Sequence, residues 1–337
     1  MKATTLKKAA LVAGSLSFLA GSAYSQQAVS GAGGYETLTI RGGGKFTTIG
    51  LRLHEPQVVS GTFESAAQDG SSLSDADVNF DDVLTAGTRY LVEITGSTSS
   101  EGTVIEVDSW SGSDLTVGGA VADDATDYTI RAAKTINDVF GADNSLGLSP
   151  DTTGAGGDSV GKIFVPNGAG FKSYSYIDLG PAFQGWADSL LNPAGDIPLN
   201  YVDAIIVNEP GAEDLSLVVT GMVKTSPTVL PVDQLFTYVG TVYPTGSTLA
   251  NSGLSGSLAA DTTGAGGGDS VYIPKDDASG YTRYQFIDLG AAFSGWADNL
   301  LTPSDDVELT SGVVIDQNGT GEAYNAKTSA PDFYADL

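Results

Sequence analysis

Two aspartates bracket a glycine-rich loop, and the arrangement occurs twice: Asp151 and Asp158 in DTTGAGGDSV, Asp261 and Asp269 in DTTGAGGGDSV. Carboxylates and backbone carbonyls suit a hard cation, so these four residues are candidate calcium ligands. The competing reading is a tight loop in which glycine supplies positive φ and aspartate caps the turn. Each loop brings only two carboxylates, which favours the structural reading. No lysine follows the glycines, and the acids would repel a phosphate. A third acidic run, Asp75, Asp77, Asn79 and Asp81, occupies the first four alternating ligand positions of an EF-hand loop. Phe80 stands where that turn needs glycine and Ala86 where the bidentate glutamate belongs, so a solvated acidic loop explains it better.

The aromatic set is also duplicated: Tyr174, Tyr176 and Trp186, with Tyr284, Phe286 and Trp296 in the second copy. Exposed on a β-face, such rings could stack on the apolar faces of sugars. Buried, they would form the core of each unit, where one tryptophan contributes on the order of 2–3 kcal/mol. The remaining reactive repertoire is thin. His54 is the one histidine, placed between Leu53 and Glu55-Pro56 at a strand end, and no G-x-S-x-G elbow lies near it in the sequence, which leaves a serine-hydrolase triad with little support. The absence of cysteine excludes thiol catalysis and zinc–thiolate sites. Among 41 acidic residues a carboxylate pair for glycoside hydrolysis is available, but sequence does not give its separation.

The elements that position these residues are short and β-rich. Residues 177–193, IDLGPAFQGWADSLLNP, return at 287–303 as IDLGAAFSGWADNLLTP, with 13 of 17 positions identical. This internal duplication, with abundant Val, Ile, Thr, Tyr and turn residues, predicts an all-β chain. The expected organisation is a small β-sandwich or barrel over 35–131, then two tandem homologous β-units over 132–223 and 224–337. Alternation marks strands at 36–40, 58–63, 90–94, 104–107, 162–165, 204–207, 215–219, 271–273 and 313–315. The segments 90–94 and 104–107 read as a hairpin, and polar 322–327 as a degraded or different last strand. Phe183, Trp186 and Leu190, at i, i+3 and i+7, predict a short helical turn in the shared block, although Gly185 weakens it.

The first 25 residues predict a secretory signal. Lys2, Lys7 and Lys8 precede an apolar stretch of about a dozen residues, too short to span a bilayer, and Ala23-Tyr24-Ser25 places small residues for cleavage. A flexible leader is expected over 26–34. Removing those lysines leaves 12 basic against 41 acidic residues, a net charge of −29 with His54 neutral. Such a chain repels nucleic acid and anionic membranes, and no later apolar stretch predicts a membrane span.

LRLHEPQVVSGTF (51–63), YLVEITGSTSSEGTVIEV (90–107), INDVFGADNSLGLSPDTTGAGGDSV (136–160), LSLVVTGMVKTSPTVLPV (215–232) and LANSGL (249–254) together resemble an uncharacterised family of exported β-rich proteins, chiefly from Verrucomicrobia. The resemblance implies secretion and a β-rich fold, and it assigns no activity or site residue. Asn318-Gly319-Thr320 matches a glycosylation sequon, which in a bacterial chain is a chance match. The expectation is therefore a secreted or cell-surface, non-enzymatic protein with a structural, adhesive or matrix role. Carbohydrate binding through the repeated aromatics is the first alternative, and a carboxylate-based glycan hydrolase the second. No cofactor is expected apart from the calcium option. The partners left open are an extracellular polysaccharide or another copy of the chain.

Overall fold

Strands account for most of the regular structure in the computed structural model, which describes residues 32–66, 70–121, 125–168, 170–233, 235–318 and 323–337. The chain is all-β, with two short α-helices and a few 3-10 turns. The signal segment and most of the leader lie outside the described residues. Gly33 and Gly34, placed in the leader by sequence, begin a strand, Gly33–Ile40, that pairs along its whole length with Leu215–Met222.

Each copy of the duplication combines a five-stranded antiparallel sheet with a two-stranded ribbon. In the first copy the sheet order is Gln184–Asp188, Gly170–Asp178, Lys162–Asn167, Ala204–Glu209, Lys45–Gly50, and the ribbon is Gly33–Ile40 with Leu215–Met222. In the second the order is Ser294–Asp298, Tyr281–Asp288, Ser270–Pro274, Gly312–Asp316, Phe236–Gly240, and the ribbon is Thr228–Val232 with Tyr324–Thr328. The registers correspond: Tyr176 faces Trp186 and Phe286 faces Trp296 across the same strand pair. Ribbon and sheet share one core. Leu217 and Val219 alternate inward from the first ribbon and Leu230 and Val232 from the second, meeting Ile163, Trp186, Val271 and Trp296.

Pairing divides the chain differently from the sequence-based boundaries. The first two strands of the first copy precede the N-terminal β unit instead of following it. A separate seven-stranded antiparallel sheet, Gln57–Phe63, Thr126–Ala132, Tyr90–Ile94, Val104–Ser111, Asp114–Val117, Ser72–Ser74 and Ser65–Ala66 in spatial order, is inserted after Lys45–Gly50. It holds its own core, where Phe63 stacks on Tyr128 at 3.8 Å beside Phe80, Leu73 and Val92. The expected hairpin of Tyr90–Ile94 with Val104–Ser111 is present.

Two local expectations are corrected. The shared block is a 3-10 turn (Gly180–Ala182, Gly290–Ala292) followed by an edge strand, not a helical turn over Phe183–Leu190. Trp186 points into the core while Leu190 is 79% exposed, so the apolar spacing does not mark one buried face. The last strand of the second copy is not degraded. Tyr324–Thr328 buries Ala326 and Thr328, and Thr228–Val232 opposite supplies the apolar residues its own sequence lacks.

The copies meet through reciprocal close contacts. A Cβ on Gly50 would lie 1.9 Å from the Ser311 carbonyl oxygen, and one on its counterpart Gly240 would lie 2.3 Å from that of Tyr201. A bridge between Asp203 and Val239 crosses the same joint. The contacts resemble an isologous interface written within one chain.

Candidate functional site

The repeated aromatics belong to the core. Trp186 and Trp296 are 2% and 1% exposed, and Tyr176 and Phe286 meet them edge-on at 5.5 and 5.8 Å. Tyr174 is buried and Tyr284 packs against the same cluster. Neither of these two indole faces is open for stacking on a sugar, so these six residues do not form the expected ligand platform. The duplicated N–H groups differ: Trp186 Nε1 donates to the Gly141 carbonyl at 2.7 Å, while Trp296 Nε1 is buried without a partner among the described residues.

The glycine-rich loops are built on aspartate, but for backbone. Asp151 accepts from the N–H of Thr153, Gly154 and Gly156 and from the Thr153 hydroxyl, at 2.7–2.9 Å. Asp261 repeats this with Thr263, Gly264 and Gly266 at 2.6–3.0 Å. Burial pushes both carboxyls up, but these donors outweigh it, lowering Asp151 and bringing Asp261 to about 2. A carboxylate ringed by N–H groups is a poor cation ligand. Asp269 is engaged likewise, by the N–H of Ala259 and Asn318 and the Tyr324 hydroxyl, each at 2.9 Å, and Asp158 is exposed. The calcium expectation for Asp151, Asp158, Asp261 and Asp269 thus gives way to a structural role for the three buried acids. The Asn318 amide donates to the Gly266 carbonyl at 2.9 Å; the rest of its sequon lies outside the described residues.

Elsewhere, Glu64 joins Asp75 and Asp77 within 4.8 Å, whereas Asn79 binds Asp82 and Asp81 takes the Gly112 N–H. Asp75 is buried and already accepts the Tyr128 hydroxyl at 2.7 Å and the Asp77 N–H at 2.9 Å.

His54 lies in a buried ionic cluster instead of a catalytic triad. Its ring packs 4.2 Å from Tyr201, and burial lowers its pKa to about 3. Glu93 from the inserted sheet accepts from Arg131 Nε at 2.9 Å and from the Tyr201 hydroxyl at 2.6 Å, with Lys224 Nζ 3.5 Å away. Burial alone would raise the Glu93 carboxyl; Lys224, Arg131 and Tyr201 outweigh it and hold it at about 2. Sequence reasoning passed over Glu93 and Lys224. The available signal was an acid inside the otherwise apolar run Tyr90-Leu91-Val92-Glu93-Ile94.

A cavity of about 790 Å³ opens between the copies. The strands Gly33–Ile40 and Lys45–Gly50 form one wall, and residues 244–247, 274–281 and 308–311 of the second copy form the other. Arg41 Nε donates to the Asp276 carbonyl at 2.7 Å and Lys45 Nζ to the Asp277 carbonyl at 2.8 Å, so two cations of one copy clamp a turn of the other. Tyr281 OH and Thr48 Oγ1 are 2.8 Å apart across it. At the corresponding place on the other side of the joint, Phe171 packs on Tyr238 at 5.1 Å. The Tyr238 hydroxyl also hydrogen-bonds Tyr281, so the two equivalent pairs meet at the joint.

No family model, curated protein or solved structure matches the chain. Among the described residues, no helix is long and apolar enough to cross a membrane.

Proposed function

We propose that the chain is an exported, non-catalytic β-scaffold with a structural or adhesive role outside the cell. Its signal-like N-terminus and cysteine-free, strongly acidic composition support export. The engagement of His54, Asp151, Asp261 and Asp269 in structural contacts supports a non-catalytic role. The observation that carries the adhesive part is a repeated hairpin tip. Leu190 and Leu300 are each 79% exposed, and the adjacent Leu191 and Leu301 both adopt φ of 62°. That left-handed conformation costs a leucine about 1–2 kcal/mol. Both copies retain the Leu-Leu pair although the flanking Ser189 and Asn192 became Asn299 and Thr302.

Residues 26–337 should adsorb to an octyl-coated surface in a quartz-crystal microbalance. The double variant Leu190→Ser with Leu300→Ser should adsorb several-fold less at an unchanged unfolding midpoint. Equal adsorption by both proteins refutes the adhesive role, and product release from ester, peptide or glycoside substrates refutes the non-catalytic one. Saccharide binding is a second reading, favoured by the hydroxyl-lined cleft and not by the repeated aromatics.

A further inference from the structure

We infer that the cleft between the two copies binds a neutral oligosaccharide. A cavity of about 790 Å³ is of the size that holds small ligands. Its lining is rich in hydroxyls: Thr37 and Thr39 project from the exposed face of one strand, half-buried Thr47 and buried Thr48 lie in the next, and Ser279 and Tyr281 come from the opposing segment. Hydroxyls both donate and accept, which matches the sugar hydroxyl, itself donor and acceptor. Tyr281 also offers a partly exposed ring at the wall, an apolar surface for a pyranose C–H face.

Charge selects among saccharides. Arg41, Lys45, Arg52 and Lys275 line the cleft against Glu36, Asp276 and Glu308, so its charge is nearly balanced. Arg52 is ion-paired with Glu36, and Arg41 with Asp214. Lys275 has no side-chain partner among the described residues and is free to donate to a sugar oxygen. The surrounding molecule is strongly acidic and repels a polyanion before it arrives. A neutral, hydroxyl-rich ligand meets neither obstacle. Ser247, buried in the cleft wall, has a hydroxyl without a partner among the described residues.

The inference stands on the cleft alone and does not need the scaffold reading. Calorimetric titration of residues 26–337 with a β-linked glucose hexamer and with a glucuronate hexamer tests it. Binding of the glucose hexamer is expected, insensitive to salt, and stronger than binding of the glucuronate hexamer. The double variant Thr37→Ala with Thr39→Ala, and separately Lys275→Ala, should each weaken it at least about tenfold. These side chains are exposed, so the unfolding midpoint should not move. No binding, preference for the glucuronate hexamer, or full affinity in both variants overturns the inference. Chromatography of the hexamer after incubation should show it intact. Its cleavage would overturn the scaffold reading while upholding the cleft as the saccharide site.

Discussion

Trp186 and Trp296 occupy one register position in two copies, yet their indole N–H groups meet different fates. The Trp186 donor reaches Gly141, and the Trp296 donor is buried with no acceptor among the described residues. An intramolecular hydrogen bond contributes about 1 kcal/mol net, whereas a desolvated and unpaired donor is a cost that replacement removes. Trp186→Phe should therefore destabilise by about 1 kcal/mol more than Trp296→Phe, although both open similar space in the core. Urea unfolding of the two variants measures the difference. Equal losses would mean that the N–H contributes nothing at either place. Asp261 makes a second case. In Asp261→Asn the amide keeps one oxygen for Thr263 and Gly264 but turns a donor toward the Gly266 N–H, now 2.6 Å from a carboxylate oxygen. The expected cost is about 2 kcal/mol in urea unfolding, with calcium having no effect on either protein.

Elements were legible where one strand declared its own faces. Leu215–Met222 alternates Leu217 and Val219 inward against exposed Ser216 and Val218, and its sequence says so. Pairing partners were not legible, because alternation reports which face is buried and not which strand lies beside it. Ile40 pairs with Leu215 across the entire inserted sheet, so the first copy's opening strands read as part of the N-terminal unit. The shared block misled for a related reason: Phe183, Trp186 and Leu190 match a helical period by coincidence, one on a strand and one at an exposed tip. The cleft was invisible because its walls come from segments that are distant in sequence. The joint beside it rests on missing side chains. Gly50→Ala would thrust a methyl into the Ser311 carbonyl, and backbone cannot yield as a flexible side chain does. A loss of about 3 kcal/mol or more is expected in urea unfolding, above the usual range for overpacking. Gly34→Ala, with open space around the same atom, serves as the control.

At the scale of the molecule, two electrostatic effects of opposite sign compete as pH falls. The large negative net charge repels itself, and protonating surface carboxylates relieves that repulsion, which favours the folded state. The buried cluster acts against it. His54 titrates near 6.5 unfolded and about 3 folded, so the unfolded chain takes the proton first. The stability associated with neutral His54 is therefore full above about 6.5 and is lost as pH falls toward 3. Glu93 shifts from 4.5 to about 2, so its contribution is full above 4.5 and is lost as pH falls toward 2. Salt separates the effects, because it screens exposed charges over about 10 Å and buried ones much less. Asp203 works the other way: burial raises it to about 7, so it favours the folded state as pH falls from 7 toward 3.8. In high salt Asp203 and His54 largely offset each other down to about pH 4, and the melting temperature should fall below that. His54→Phe should turn the limb between about 6.5 and 4.5 into a rise as pH falls, Asp203 being left unopposed, and keep the fall below 4.5, where Glu93 takes up its proton. The cluster ties the inserted sheet (Glu93, Arg131) to the first copy (Tyr201) and to the segment between copies (Lys224), so both sheets should melt together along that slope. A pH slope unchanged in His54→Phe would remove the histidine from the account. Separate melting of the inserted sheet would show that the cluster does not couple the parts it touches.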